Sequence, residues 1–124
     1  MAIVQHRAQR KSTGGRYKSA RKKRIFELGG VPSHTHLAER KLKTVRGRGG
    51  TIKHKLLSAK IVNVIVGGKA QQATIQTVKE NPANVNFIRR NIITKGAIVQ
   101  TEIGKVRITS RPGQEGVLNG VKVE

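Results

Sequence analysis

The sequence contains no cysteine, and this absence removes several kinds of site at once. A chain without cysteine has no disulfide framework, no thiolate nucleophile and no zinc knuckle, and it fits a reducing, cytosolic setting. Aspartate is absent as well, since all six acidic residues are glutamate. Because aspartate is the commonest ligand of magnesium and calcium, this composition counts against metal-dependent phosphoryl chemistry.

Aromatic residues are scarce, with only Tyr17, Phe26 and Phe87 in the chain. Proteins that bind single-stranded nucleic acid by base stacking use a platform of several aromatic side chains. Tyr17 is the one residue that we expect to stack on a base. Recognition of a nucleic acid would therefore depend on shape and backbone more than on base sequence.

Long apolar runs are also missing. The longest apolar stretches are short and centre on residues 61–66, and the start, MAIVQHRAQR, has no apolar run of secretory length. A membrane-spanning helix needs about 20 predominantly apolar residues. We expect a chain that is neither exported nor membrane-spanning.

Positive charge is what the chain has in excess. Its 26 Lys and Arg against 6 acidic residues give a formal charge of +20 over 124 residues, a length typical of one domain. Like charges in one compact domain repel one another, so we expect a polyanionic partner. Residues 1–60 carry 17 of the basic residues, whereas most of the Ile, Leu, Val and Phe lie after residue 60. This asymmetry predicts a basic extended N-terminal arm and linker (residues 1–30) and a β-rich body (residues 31–124).

The arm shows no regular apolar pattern. From residue 1 to residue 24 apolar residues are sparse, with neither the period of a strand nor that of a helix. We expect this segment to be extended or disordered when alone. Ordering it would cost conformational entropy that contacts with a nucleic acid must offset, so it should fold on binding.

The pattern of the body predicts mainly β structure. The stretch from Lys43 to Leu57 alternates charged and apolar residues around glycines 47–50, which is typical of two strands joined by a turn. AKIVNVIV and ATIQTVKE flank the pair Gly67-Gly68 and predict a hairpin. The segments AIVQTEI, KVRITSR and VLNGVKV, separated by Gly104 and by PGQEG, have the rhythm of a small barrel or sandwich.

One short helix or loop is expected between the strands, in NPANVNFIRRNII. Asn81 followed by proline is typical of a helix N-cap with proline at the first helical position, and Val85, Ile88 and Ile92 follow at helical spacing. The predicted fold class is mainly β: a small barrel or sandwich-like body with an extended basic N-terminal arm and one short helix.

The stretch KTVRGRGGTIKHK, residues 43–55, raises the question of a phosphate-binding loop. A Walker loop requires GxxxxGK[ST], which no part of the chain matches. A dinucleotide-binding loop requires GxGxxG, but Ile52 stands where the third glycine should be. Two interpretations stay open: glycines that let the backbone approach a nucleic-acid phosphate closely, and a hairpin turn with incidental charges.

Metal binding and catalysis have little support in the sequence. His34 and His36 would share a face of an extended segment, with His54 and His6 elsewhere, but lone histidines are usually surface or packing residues. The glutamates are isolated, with no His or Ser patterned beside them. We therefore expect no catalytic residue, no metal, no cofactor and no small-molecule substrate.

Long segments of the chain resemble a known family. RKSTGGRYKSARKKRIFELGG (residues 10–30), VRGRGGTIKHK with its Arg-x-x-Gly-Gly segment, and the stretch from NPANVNFIRR to VLNGV (residues 81–121) carry the resemblance. They are similar to the archaeal and eukaryotic small-subunit ribosomal protein numbered eight in the "e" series. The chain lacks the long insertion typical of eukaryotic members and so resembles the archaeal form. Thr51 departs from the family pattern, in which asparagine follows the glycine pair.

The resemblance implies a structural constituent of the small ribosomal subunit in the cytoplasm. Such a protein binds ribosomal RNA (rRNA) through phosphate-backbone and shape contacts and touches neighbouring ribosomal proteins. An alternative with similar charge is a free nucleic-acid-binding protein, either an RNA chaperone or a DNA-compacting protein. Competition between folded RNA and duplex DNA would separate the two.

The candidate RNA-binding residues are basic side chains and the glycines between them, because arginine binds phosphate bidentately and lysine binds it as a point charge. They are the arm residues Arg7, Arg10, Lys11, Gly14, Gly15, Arg16, Tyr17, Lys18, Arg21, Lys22, Lys23 and Arg24, the hairpin residues Arg46, Arg48, Gly49, Gly50, Lys53 and Lys55, and the pair Arg89 and Arg90. An exposed basic pair such as the last is often only a solvated face.

Overall fold

The structure, a computed structural model, describes residues 3–123. The chain divides into two compact units, Met1–Pro32 and Ser33–Glu124, here termed the N-terminal and C-terminal units. The strands of the C-terminal unit are β1 (Thr35–His36), β2 (Lys41–Arg46), β3 (Ile52–Ser58), β4 (Ile61–Val66), β5 (Lys69–Glu80), β6 (Ile92–Ile93), β7 (Ile98–Thr101), β8 (Gly104–Ile108) and β9 (Asn119–Lys122). Its helices are the one-turn segments α1 (Asn86–Arg89) and α2 (Pro112–Glu115).

Five strands close into a barrel in the order β4-β5-β7-β8-β9. Neighbouring strands are antiparallel except β4 and β9, which pair in parallel and close the ring. Gly67 and Gly68, between β4 and β5, have φ values of 54° and 82°, as a tight two-residue hairpin turn requires. The register of β5 shifts twice against β7, and such bulges bend a strand around a curved wall. The predicted β fold with a small barrel is confirmed.

The barrel interior is filled by branched aliphatic side chains. Val62 and Val64 of β4, Val99 of β7 and Val106 of β8 are fully buried. The alternate residues of β4 point outward, because successive side chains of a strand lie on opposite faces. Gly120 of β9 has no room for a side chain, since a Cβ there would collide with Val106. The two strands β8 and β9 therefore approach each other closely at this point.

A second sheet of four strands has the order β2-β3-β1-β6. β2 and β3 are antiparallel, β1 is parallel to β3, and β6 is antiparallel to β1. The buried Thr35 hydroxyl donates a hydrogen bond of 2.7 Å to the carbonyl of Leu56, which ties β1 to β3. The two strands predicted within residues 43–57 are thus present as β2 and β3.

The helix expected after β5 begins later than the sequence indicated, since α1 starts at Asn86. Asn81 is buried, and its Oδ1 accepts hydrogen bonds from the Ala83 amide (3.0 Å) and from the Thr94 hydroxyl (2.9 Å). Its Nδ2 donates to the carbonyl of Ile92 (3.1 Å). The prediction that Asn81 caps a helix is wrong, because these bonds hold a turn against β6 instead.

The segment PGQEG, which the sequence indicated as a turn, forms α2. Pro112 occupies its first turn, where a missing N–H removes no helical hydrogen bond, and Gly116 ends it with a left-handed φ of 73°. A Cβ at Gly116 would lie 2.7 Å from the His54 Cβ and 2.8 Å from the Leu42 Cδ1. The end of α2 therefore packs tightly on β2 and β3, and the C-terminal unit has two short helices where one was predicted.

Candidate nucleic-acid interface

The N-terminal unit contains a hairpin turn at the sequence KSTGG. The Gly14 amide donates to the Lys11 carbonyl (3.0 Å), and the Lys11 amide donates to the Gly15 carbonyl (2.8 Å). Arg10 and Arg16 form an antiparallel bridge at its base. Gly14 has a φ of 82°, the left-handed value that ends a three-residue hairpin loop. The turn itself therefore requires glycine at position 14, whatever the residue contacts.

The two ends of the N-terminal unit pair with each other. The Gln5 amide donates to the Glu27 carbonyl and the Gly29 amide donates to the Ile3 carbonyl, both at 2.9 Å. Arg21 forms an ion pair with the Glu27 carboxylate. The hydrogen bond from Arg21 lowers the pKa of Glu27 below its ordinary value. The unit is thus a loop closed at its base, with the KSTGG turn between its ends.

Tyr17 is covered by cations. The Arg7 guanidinium carbon lies 4.0 Å from the centroid of the Tyr17 ring, and the Lys11 Nζ lies 5.6 Å from it. Both distances are within the range of cation–π attraction. The ring therefore holds two positive charges in place and is only partly available for stacking on a base.

The basic side chains of the N-terminal unit are exposed and dominate its charge. Residues 1–32 contain nine Lys and Arg and a single acid, a net charge of +8. The exposed cations are Arg7, Arg10, Lys11, Arg16, Lys18, Arg21, Lys22, Lys23 and Arg24. Such a concentration of one sign creates a strong positive potential that attracts a polyanion.

The β2–β3 hairpin presents a row of lysines on one face. The register places Lys43 directly opposite Lys55, and Lys53 opposite Val45. Residues two apart on a strand share a face, so Lys43, Lys53 and Lys55 form one surface, here termed the lysine face. Like charges directly opposite each other destabilise an antiparallel pair. A bound phosphate would relieve that repulsion.

The opposite face of the hairpin carries Arg46 and packs on α2. Arg46 pairs with Ile52, and Thr44 pairs with His54, whose Nδ1 lies 3.3 Å from the Thr44 hydroxyl. Gly116 of α2 lies against His54. The basic hairpin residues Arg46, Arg48, Lys53 and Lys55 were predicted to form one contact. The strand register instead places Lys53 and Lys55 on a different face from Arg46.

The turn of the hairpin is a single 3₁₀ turn, Arg48–Gly50. Gly49 and Gly50 have left-handed φ values of 67° and 78°. The Gly47 amide donates to the Thr51 carbonyl (2.6 Å), which closes the loop, so the unusual residue at position 51 contributes through its backbone. The glycines make the hairpin turn, and the charges lie on the strands and on Arg48. Close approach of a phosphate to this backbone stays a prediction.

Lys43 lies on the lysine face but was not among the RNA-binding residues predicted from the sequence. It stands in the quoted stretch as its first residue, but only the strand register shows that it lies beside Lys55. The symmetry of the two strands about Gly49 was the available signal.

Arg89 and Arg90 lie at the end of α1, where both are exposed.

The histidines have packing roles or are dispersed. The ring of His34 meets Phe87 edge-on, with centroids 5.4 Å apart and an interplanar angle of 61°. Across residues 3–123, His and Glu side chains form no group of three or more that could hold a metal ion. Among those same residues, no helix is long and apolar enough to cross a membrane.

Comparison with known proteins identifies the family. The sequence model described as Ribosomal protein S8e matches residues 4–123. The chain belongs to this family. The resemblance drawn from the three sequence segments is therefore confirmed.

Relatives in the S8e family align with almost the whole chain. The small ribosomal subunit protein eS8 of Nanoarchaeum equitans is 52% identical over 122 residues, covering 97% of this chain and 96% of that protein. The eS8 protein of Methanococcoides burtonii is 49% identical over 122 residues, covering 97% and 98%. That of Methanocorpusculum labreanum is 47% identical over 124 residues, covering 98% and 99%. All three relatives are archaeal proteins of nearly the same length as this chain.

Proposed function

We propose that this chain is a structural constituent of the small ribosomal subunit and binds rRNA through phosphate-backbone and shape contacts. The observation that carries this function is the S8e family match over residues 4–123, together with archaeal relatives that are named as small-subunit proteins. The role is structural, in translation, and its place is the cytoplasmic ribosome. The formal charge of +20 supports rRNA as the principal partner.

The two predicted segments would each contribute to rRNA binding. Residues 1–30 serve as the basic arm and linker, and residues 31–124 serve as the β body. In the arm, the KSTGG turn presents Arg10, Lys11 and Arg16 close together, since Arg10 and Arg16 are bridged. The following run from Lys18 to Arg24 adds further exposed cations. Each phosphate that these side chains neutralise releases condensed counterions, which favours binding.

The body would supply a second contact through the lysine face, with Lys43 added to the predicted Lys53 and Lys55. This contact is supported by the repulsion between Lys43 and Lys55, which lie directly opposite each other across the hairpin. Arg48, Gly49 and Gly50 at the turn extend this contact, since glycine lets the backbone approach a phosphate. Arg46 would reach RNA only from the opposite face. Arg89 and Arg90 form a third candidate on α1.

Backbone contact fits this chain better than base stacking. Arg7 already covers the Tyr17 ring, so the pair offers a fixed cation more than an open aromatic surface. Neighbouring ribosomal proteins are further partners of the chain. We assign no catalytic residue, metal, cofactor or small-molecule substrate to it.

The test is binding of the full chain to a small-subunit rRNA fragment at several salt concentrations. We expect affinity to fall by roughly a thousandfold or more between 50 and 200 mM salt, as for about six to ten phosphate contacts. A flat salt response would contradict the proposal. Sedimentation of tagged protein with the small subunit at moderate salt is the second expected result, and failure to co-sediment would overturn the ribosomal assignment.

Competition distinguishes the alternative, a free nucleic-acid-binding protein. A subunit component should prefer folded rRNA over duplex DNA of equal length, because its charges are arranged for one RNA surface. An RNA chaperone or DNA-compacting protein should bind both ligands with similar affinity. Equal competition by duplex DNA would therefore favour the alternative.

A further inference from the structure

A groove of about 560 Å³ opens on the outer surface of the C-terminal unit beside β4. One wall is the β4–β5 ladder, where Ile61 lies opposite Thr74 and Asn63 opposite Gln72. The other wall is the segment 116–118 between α2 and β9. The Asn63 amide donates to the carbonyl of Leu118 (2.9 Å), which fixes the two walls together. The volume falls within the range of small-molecule sites, about 300 to 1,000 Å³.

The walls of the groove include apolar side chains that are exposed to solvent. Ile61 is 57% exposed and Val117 is 40% exposed, although both are branched aliphatic residues. Leu56 and Ala59 also line the groove and are buried. A flat ring lying over Ile61 and Val117 would remove apolar surface from water, which is favourable in proportion to the area covered.

The rim of the groove carries three charges, from Glu39, Arg40 and Lys60. Arg40 directly precedes β2 and Lys60 is the second residue after β3, so both lie at the end of the hairpin that bears the lysine face. Lys43 is three residues along β2 from Arg40, roughly 10 Å at the rise of a strand. The groove, lined by Leu56 and Gly116, lies on the α2 side of the hairpin, so an RNA strand that contacts both it and the lysine face passes around this end of the hairpin.

The Glu39 carboxylate forms no ion pair, a property that it shares with Glu80, Glu102 and Glu115. Within residues 3–123 the single ion pair joins Arg21 to Glu27. The backbone of Glu39 is held in place, since its carbonyl accepts a hydrogen bond from the Ser58 hydroxyl. Its side chain stands exposed at the mouth of the groove. A free carboxylate offers only acceptors, so it selects a ligand with adjacent hydrogen-bond donors.

We propose that this groove takes one unpaired guanine nucleotide of the bound RNA. The base lies over Ile61 and Val117, its N1–H and N2–H₂ donate to the Glu39 carboxylate, and Arg40 and Lys60 contact the flanking phosphates. Adenine, cytosine and uracil each present at least one acceptor where guanine has a donor, and the carboxylate repels it. The site rests on the proposed function, since it reads a base within RNA that the chain already holds.

The first experiment uses GMP, AMP, CMP and UMP as probes of the full chain, followed by the backbone amide NMR signals of residues 61, 117 and 118. GMP should shift these signals at lower concentration than the other three nucleotides. Glu39→Gln should weaken GMP binding by roughly tenfold, the effect of losing a charged hydrogen-bond acceptor. The matched control Glu102→Gln removes the same charge outside the groove and should leave GMP binding unchanged. No shift with any nucleotide, no preference for GMP, or equal effects of the two variants would each overturn the proposal.

The second experiment uses kethoxal, which modifies N1 and N2 of unpaired guanine, on the small-subunit rRNA bound to the chain. Wild type and Glu102→Gln should protect one unpaired guanine that Glu39→Gln and Val117→Glu leave reactive. If the same guanines react with all four proteins, the site is wrong. The rRNA affinity of the same samples, measured at several salt concentrations, separates failure of the guanine site from failure of the proposed function. Steep salt dependence without a protected guanine contradicts the groove alone, whereas absence of rRNA binding contradicts the proposed function.

Discussion

Replacing Lys43, Lys53 and Lys55 together by glutamine tests whether the lysine face contacts rRNA phosphates. The three side chains share one face of the β2–β3 hairpin, and Lys43 lies directly opposite Lys55. Glutamine keeps most of the side-chain length and removes the charge. If each lysine neutralises one phosphate, the variant makes three fewer phosphate contacts and releases fewer counterions on binding.

The size of the effect follows from the number of contacts. Each lost contact should make the slope of log affinity against log salt shallower by about 0.7 to 0.9, so the triple variant should change it by about 2 to 3. The fall in affinity between 50 and 200 mM salt should then be smaller than for wild type by roughly 20- to 40-fold. The variant should also be weaker at the lowest salt concentration, where the lost contacts matter most.

The assay is fluorescence anisotropy with a labelled small-subunit rRNA fragment at four salt concentrations. The matched control replaces Lys69, Lys105 and Lys122 by glutamine, which removes the same charge from other exposed positions of the C-terminal unit. A similar slope change in both variants would show a general charge effect and refute the local contact. An unchanged slope in the first variant would refute it as well.

Three further outcomes are expected. Gly116→Ala should destabilise the protein by about 2 to 4 kcal/mol, because residue 116 has a left-handed φ and a Cβ there would collide with His54. An unchanged Tm would contradict this packing. Asn81→Ala should cost about 2 to 3 kcal/mol in urea unfolding through its lost buried hydrogen bonds, and a loss below about 0.5 kcal/mol would count against their importance. The lowered pKa of Glu27 means that its ion pair with Arg21 stabilises the fold above the ordinary value of 4.5 and is lost as pH falls through the lowered pKa. An NMR titration of the Glu27 carboxyl carbon with a midpoint at or above 4.5 would disprove this coupling.

Local alternation was sufficient to predict the barrel strands. Val62 and Val64 alternate with outward-facing residues of β4, and the glycine pair at 67–68 marks the turn into β5. These signals lie within a few residues of one another and depend on the pleat and on the conformational freedom of glycine. The strands would keep this pattern in any barrel or sandwich, so the sequence did not distinguish between the two.

The features that escaped prediction depend on contacts distant in sequence. α2 has a single turn, too short to show a helical period, and it is held against His54 and Leu42 of the hairpin. Asn81 followed by proline is typical of a helix N-cap in sequence, but its side chain forms hydrogen bonds with Thr94 and Ile92 instead. The lysine face also required the register between two strands. Composition predicted a polyanionic partner and the family resemblance predicted RNA, whereas the arrangement of the charges could be seen only in the fold.

The parallel pairing of β4 with β9 has a consequence for folding during synthesis. Asn63 of β4 meets Asn119 of β9 across 56 residues of chain. At about 5 to 20 residues per second, a ribosome needs roughly 3 to 11 s to make that length. For this interval β4 keeps an unpaired edge, which invites pairing with another chain. The nascent barrel is therefore most prone to aggregate just before its last strand emerges.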